Sequence, residues 1–300
     1  MRGTTDITRL LRAIQTNPNR PVSLVCHADG IFSYQNPRRL PTVPGGPLLA
    51  EKRDLDILHL LGLVPGDTRP ARDLLRRLIG TITSARAICG GCGSRAAAWR
   101  PCPRAAPDLY AKGIAAGLDS IIIPRPNDDK ERTKHSSVMK IMKAGRLLIR
   151  PHHLLCLACF HRGRSSFEMI AEDNLGEILA RMQANPALPV TLVRGCCMIC
   201  PPCSAYDKAN HVCVGYNAMS LRDQKRDLDV LHRLDLAYGA TLPAAELLRR
   251  IFRAVRSLQE VCGFGDNVVR GPEWTICGAG NKPDSYQRAK RRGMGIALRS

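Results

Sequence analysis

Lys52-Arg-Asp-Leu-Asp-Ile-Leu-His59 returns further along the chain as Lys225-Arg-Asp-Leu-Asp-Val-Leu-His232. The match extends in both directions. Upstream, Asn17-Pro-Asn-Arg-Pro-Val-Ser-Leu-Val25 reappears as Asn185-Pro-Ala-Leu-Pro-Val-Thr-Leu-Val193, and downstream Thr68, Pro70 and Leu74 to Arg77 recur as Thr241, Pro243 and Leu247 to Arg250. Cys89-Gly90, Trp99, Cys102, Pro107-Asp108, Tyr110 and Gly117 find partners in Cys262-Gly263, Trp274, Cys277, Pro283-Asp284, Tyr286 and Gly293. The order is preserved while the offset drifts only from 168 to 176, so the chain is an internal duplication. A period this long describes two homologous domains rather than a stacked array.

The expected division is a first copy over 1–122, a linker over 123–145 and a second copy over 146–300. The linker reading rests on the polar, turn-rich run Pro124-Arg-Pro-Asn-Asp-Asp-Lys-Glu-Arg-Thr-Lys-His-Ser-Ser137. Each copy reads as several helices with one short strand, which places the fold in the α+β class, mainly helical. Val22–Val25 and Val190–Val193 suit that strand. Leu55, Leu58 and Leu61 line a helix that Gly62 closes. Thr68 is expected to cap the next helix, with Pro70 in its first turn and Leu74, Leu75, Leu78 and Ile79 facing inward. In the second copy Ser165-Ser-Phe-Glu168 has the pattern of a capping box and predicts an additional helix.

The net charge of +19 is spread out, with 17 basic against 9 acidic residues in 1–122 and 22 against 14 in 146–300. Without a stripe or cluster, it describes an Arg-rich surface in preference to a nucleic-acid footprint. There is no run of 18 apolar residues to span a membrane and no apolar leader after Met1, so the expectation is a cytoplasmic protein. In that reducing compartment thirteen cysteines point to metal or redox chemistry rather than disulfides.

Nine of the thirteen lie from Cys156 onward, and four fall within Gly195-Cys-Cys-Met-Ile-Cys-Pro-Pro-Cys203. Cys197, Cys200 and Cys203 form C-x2-C-x2-C, a spacing by which one loop can wrap three corners of a cubane cluster. Pro201 and Pro202 stiffen that loop. A fourth thiolate must come from elsewhere, and Cys213 and Cys156 are the candidates. Zinc is the rival, since C-x2-C units also build tetrahedral zinc sites. Arg150-Pro-His-His-Leu-Leu-Cys-Leu-Ala-Cys159 predicts a helix starting at the proline, with His152, Cys156 and Cys159 on one face and His153 as a further candidate ligand. The first copy offers Cys89, Cys92 and Cys102. In the second copy Gly265 stands where Cys92 does, which leaves Cys262 and Cys277. Phe32 and Gln35 replace Cys200 and Cys203 in the first copy, which begins too late to contain the histidine segment. It therefore reads as ligand-poor, a three-thiol remnant at most.

No catalytic signature emerges. The glycine pairs Gly263/Gly265 and Gly278/Gly280 lack the setting of a nucleotide loop. Asp54/Asp56 and Asp227/Asp229 read as solvated pairs beside Lys-Arg, His59 and His232 as an inherited helix position, and Cys26-His27 as a pair without a third group. Trp99 and Trp274 read as cover for a core or a cluster edge.

Assembled, these motifs resemble a bacterial and archaeal family known as domain of unknown function 1284, whose members are thought to bind iron–sulfur clusters. The resemblance runs through Arg150-Pro-His-His-Leu-Leu-Cys156, Ile199-Cys-x2-Cys203, Cys213, Asp229-Val-Leu231, Gly239, Leu247-Leu248 and Val261-Cys262. In the first copy it covers about Ile7 to Gly117, through Leu58-x2-Leu-Gly-Leu63, Gly66 and Ile88-Cys-x2-Cys92. It implies ligation by Cys156, Cys200, Cys203, Cys213, Cys262 and Cys277. The chain departs from the pattern at Gly265 and adds Cys159, Cys196 and Cys197. The resulting expectation is one iron–sulfur centre, a 4Fe-4S cluster, drawing on Cys156, Cys197, Cys200, Cys203, Cys213, Cys262 and Cys277. Its expected role is electron transfer or redox sensing with an unidentified redox partner. The alternative is a zinc-stabilised interaction or nucleic-acid-binding module.

Overall fold

The computed structural model describes residues 2–25, 47–90, 99, 101–102, 109–122, 124–161, 169–209, 211–213, 221–271, 274–277 and 283–296. The backbone separates into two compact units, Met1–Pro124 and Arg125–Ser300. Both are mixed α+β and mainly helical.

The first unit runs α1 (Arg2–Thr16), β1 (Pro21–Ser23), α2 (Pro47–Leu61), β2 (Thr68–Pro70), α3 (Ala71–Thr81), α4 (Arg86–Cys89) and α5 (Leu109–Ala115), then a 3-10 turn over Leu118–Ser120. The second opens with α6 (Asn127–Lys143), β3 (Leu147–Ile149) and α7 (Pro151–His161). It continues as α8 (Leu175–Ala184), β4 (Pro189–Leu192), β5 (Tyr206–Asp207), β6 (Val212–Cys213), α9 (Leu221–Leu234), β7 (Thr241–Pro243), α10 (Ala244–Ala254), α11 (Gln259–Cys262) and α12 (Pro283–Arg292).

The duplication is visible in the smallest contacts. β1 pairs antiparallel with β2, as β4 does with β7. The facing hydroxyls Ser23 and Thr68 lie 2.6 Å apart, and Thr191 and Thr241 lie 2.7 Å apart. Helix α2 ends with the Leu63 amide donating to the Leu58 carbonyl at 2.9 Å, and α9 ends with Leu236 donating to Leu231 at 3.0 Å. At the turn stand Gly62, with φ of 62°, and its counterpart Asp235, with φ of 53°. Both terminate the helix in the left-handed conformation, which glycine adopts freely and Asp tolerates better than most residues. Tyr110 donates its hydroxyl to Ile82 O at 2.8 Å, and Tyr286 donates to Val255 O at 3.0 Å, each closing the end of the preceding long helix.

Four expectations need correction. Thr68 and Thr241 do not cap helices. Their side chains face a strand partner, Pro70 and Pro243 occupy the cap positions, and the helices begin at Ala71 and Ala244. Each copy therefore holds more than one strand. Leu55 is exposed while Leu58 is buried, and Leu74, Leu75, Leu78 and Ile79 are half-buried, so the apolar faces of the first unit are narrower than their periodicity suggests. The stretch 123–145 is largely α6, part of the second unit, with Ser137 and Ile141 buried. Its charged residues form an outer face that composition alone reads as a linker. Finally, the helix before β4 is not an addition to the second copy, because α1 precedes β1 in the same way. It starts at Leu175, after Asn174, and Ser165–Glu168 lies outside the described residues.

What the second unit does add is β3 and α7. β3 pairs parallel with β4, giving the sheet order β3-β4-β7. Leu147, Ile149, Leu154, Leu155, Leu157, Val190, Leu192, Leu247 and Ile251 form one dry core around this sheet. Burial of these aliphatic side chains is the dominant stabilising term and holds α7 rigidly against the sheet. Cys156, Cys159, Cys196, Cys197, Cys200, Cys262 and Cys277 pack against the same core.

Candidate metal centre

The loop between β4 and β5 is three successive turns. Cys200 N–H donates to Cys197 O at 3.0 Å, Cys203 N–H to Cys200 O at 2.9 Å, and Tyr206 N–H to Cys203 O at 3.0 Å. The two-residue spacing of C-x2-C-x2-C is therefore the repeat of a turn, and each turn returns a cysteine to one side of the loop. At Tyr206 the chain enters β5, whose partner β6 sets Cys213 directly opposite Tyr206.

The loop is pinned from outside. Met198 N–H donates to Leu148 O of β3 at 3.1 Å, and the fully buried Asn174 donates its side-chain amide to Met198 O at 2.8 Å. Arg125, just before α6, donates to Pro201 O at 2.6 Å and Cys203 O at 3.2 Å. The same guanidinium bonds Asp129 at 2.7 Å and Thr133 at 2.7 Å. Neither Asn174 nor Arg125 carries a sequence signal of its role, because both act on backbone carbonyls.

Within this frame His153, Cys197 and Cys200 present ligand atoms that all lie within 4.8 Å of one another. His153 Nδ1 is 3.2 Å from Cys197 Sγ, and the sulfurs of Cys197 and Cys200 are 3.9 Å apart. Backbone amides point at the sulfurs: Cys197 N–H at Cys200 Sγ (3.3 Å), Ile199 N–H at Cys197 Sγ (3.5 Å) and Ala205 N–H at Cys203 Sγ (3.4 Å). Such N–H···S bonds favour thiolate over thiol. Hydrogen bonds from the Cys196 and Cys197 thiols hold Cys200 well below the usual thiol range despite its burial. Cys196 and Cys197 are pushed up in turn, Cys196 chiefly by its bond to Cys200 and Cys197 chiefly by burial. Burial raises Cys203 to about 11, with the charges of Cys213 and Cys200 adding to the rise. Burial lowers His153 to about 4, leaving a neutral imidazole able to ligate.

His152 faces away from this loop. Its ring Nδ1 and its backbone N–H meet Asp227 Oδ1 at 2.8 and 3.0 Å, while Arg150 grips Asp227 Oδ2 through Nε and Nη2 at 3.0 and 2.8 Å. Asp227, expected to be a solvated partner of Lys225-Arg226, is fully buried. Burial opposes its ionisation, but the bonds and charges from His152 and Arg150 more than offset that and hold the carboxyl below its ordinary range. Asp229 does pair with Lys225 at 2.7 Å on the outer face. His152 is thus bound to a carboxylate rather than to a thiol, although its ring meets that of His153 edge-on at 4.6 Å.

The remaining thiols are not part of the group formed by His153, Cys197 and Cys200. Cys156 and Cys159, one turn apart on α7, have Cys262 and Cys277 as their electrostatic neighbours, whereas Cys203 has Cys213 and Cys200. Of the expected ligands, the only group of three or more whose ligand atoms lie within 4.8 Å of one another among the described residues is Cys197 and Cys200 with His153. In the first unit Cys102 N–H donates to Cys89 O at 3.0 Å, as Cys277 does to Cys262 at 3.2 Å. Cys92, Phe32 and Gln35 lie outside the described residues. Trp274, which remains 36% exposed, packs edge-on against Phe264. His59 and His232 are both exposed. None of the eleven described cysteines is in a disulfide. Among the described residues no helix is long and apolar enough to cross a membrane. Comparison with protein-family models, with curated proteins and with solved structures finds no match to this chain.

Proposed function

We propose that the second unit is an iron–sulfur protein serving electron transfer or redox sensing, its cluster held at the β4–β5 loop. The observation that carries this reading is the convergence of the Cys197 and Cys200 thiols with the neutral His153 imidazole, their ligand atoms within 4.8 Å of one another, around a cysteine that already favours its thiolate. The donor set fits the group. Cys197, Cys200, Cys203 and Cys213 would hold it, with Cys196 and His153 as neighbours or substitutes. The resemblance of the motifs to a family thought to bind such clusters points the same way. A bound cluster supplies one-electron chemistry. The chain supplies the rest. The amides of Cys197, Ile199 and Ala205 stabilise negative charge on sulfur, Arg125 keeps the loop from opening, and His153 can donate a hydrogen bond to Cys197 Sγ. A reducing cytoplasm is the setting such thiols require.

Anaerobic purification should give a brown protein with broad visible absorbance and iron and acid-labile sulfide in comparable amounts. A colourless protein carrying only zinc, even after anaerobic reconstitution with iron and sulfide, would eliminate the cluster. One observation favours that second reading. Two thiolates at about 2.3 Å from a single tetrahedral ion stand about 3.8 Å apart, close to the 3.9 Å between Cys197 and Cys200. A cubane instead takes one thiolate per iron and spreads them further. A zinc-stabilised module would then use its basic surface for interaction, and nucleic-acid binding that weakens steeply with added salt would mark that role.

A further inference from the structure

We propose that the second unit carries an anion-binding pocket on the outer side of the cysteine loop, built to take a small phosphate-bearing ligand. The pocket is an open cavity of about 400 Å³, within the size range of small-molecule sites. One wall is α6, and the other is the end of the cysteine loop together with the β5–β6 hairpin. Among the described residues, none of the proposed metal ligands lines it.

Helical spacing makes the first wall. Arg132, Ser136 and Lys140 are each four residues apart on α6, so they form one row with cations at its two ends, about 12 Å apart. Asp129, Thr133 and Ser137 form the row beside it. That row is committed inward: Ser137 is buried and accepts from Asn174 at 2.9 Å, and Thr133 accepts from Arg125 at 2.7 Å. Pro201, Tyr206, Lys208 and His211 stand opposite. The Tyr206 hydroxyl is 2.7 Å from His211 Nδ1, and His211 has a φ of 53°, an uncommon conformation for a residue with a side chain. With Nδ1 accepting the phenol's hydrogen, Nε2 carries the ring's own and is a donor.

The balance of charge selects the ligand. Arg132, Lys140 and Lys208 face a single carboxylate in the lining, Asp129, which already bonds Arg125 at 2.7 Å and lies 3.6 Å from Lys208. The planar fork of Arg132 is taken by Asp128 at 2.6 Å, whereas Lys140 makes no ion pair among the described residues. The remaining cations are therefore lysines, point charges that suit the tetrahedral oxygens of a phosphate better than a flat carboxylate. Charge that looks evenly spread along the chain is gathered here from two stretches about 70 residues apart in sequence. Arg125 connects the pocket to the loop, since one guanidinium bonds Asp129 and the carbonyls of Pro201 and Cys203. A ligand seated against Pro201 and Tyr206 steadies the backbone that carries Cys200 and Cys203.

This inference is independent of what the thiols bind. The test is a calorimetric titration of pyrophosphate into the full, reduced chain, purified anaerobically and held in phosphate-free buffer of low salt. The expected result is one saturable site per chain, with slower amide hydrogen exchange at Cys203 and Tyr206 when it is filled. The double variant K140A/K208A should weaken binding by about tenfold or more. K290A/R291A removes the same charge from α12, outside the pocket, and should bind at native affinity; circular dichroism checks the fold of both. Citrate, an anion of similar charge built from carboxylates, should bind more weakly than pyrophosphate. An absence of saturable binding, native affinity in K140A/K208A, or an equal loss in the two double variants would overturn the pocket. Citrate binding as tightly as pyrophosphate would overturn the phosphate class.

Discussion

At the scale of single residues, what matters is which groups are charged when buried. Cys200 is the thiol held toward its anion, so Cys200→Ser should abolish tight binding at the β4–β5 loop. His153→Ala should weaken it by about 10- to 100-fold, the range for groups that support a metal from beside it. A chelator-competition titration reads both. Asp227 is a different case, structural rather than ligating. Asp227→Asn leaves Arg150 buried without its counter-charge and should destabilise the second unit by about 3–5 kcal/mol in urea denaturation. The sign of its pH dependence follows from a carboxyl held lower in the folded than in the unfolded chain. Its contribution is fully present above the unfolded value of about 3.9 and drains away as pH falls through the folded value, so stability should drop steeply only below about pH 4. None of this was legible in Lys225-Arg-Asp-Leu-Asp229. Asp227 and Asp229 look alike there, and the partner that buries one of them, Arg150, is 77 residues away.

At the scale of elements, the sequence reading and the structure agree where a pattern is local. They diverge where a partner strand or a packing face decides. Gly62 as a helix end, the strand at Val190 and the helix at Pro151 follow from three to eight neighbouring residues. Thr68 could not be resolved that way, because cap and strand positions share threonine before proline, and only Ser23 across the sheet distinguishes them. Helix α6 was hidden for the opposite reason. Its buried side is a few residues wide, and its many charges face water. Yet the segment from Arg125 into α6 holds the cysteine loop, so Arg125→Ala should speed amide hydrogen exchange at Cys200, Cys203 and Tyr206 while leaving β4 and β7 protected. The tyrosine that closes the long helix of each copy gives a matched test. Tyr286→Phe should cost about 1 kcal/mol through its lost bond to Val255 O, read as a shifted denaturation midpoint.

At the scale of the whole molecule, duplication followed by unequal loss of ligands explains why one half is thiol-poor. The α+β class and the two-copy organisation are legible in the repeated segments, Asn17–Val25 with Asn185–Val193 and Lys52–His59 with Lys225–His232. The close approach of His153 to Cys197 and Cys200 is not, because sequence spacing says which cysteines can converge but not which histidine joins them from 44 residues away. A chain comprising residues 125–300 should retain the tight metal capacity of the full protein, whereas 1–124, with only Cys26, Cys89, Cys92 and Cys102, should add none. The central claim is that sulfur atoms of the second unit surround an inorganic centre, and X-ray absorption at the edge of the metal carried by the anaerobically purified full chain tests it most directly. The expected result is a first shell dominated by sulfur at about 2.3 Å, lost when Cys197 and Cys200 are substituted. A first shell of oxygen and nitrogen alone, or a chain that carries no metal after anaerobic loading, would contradict it.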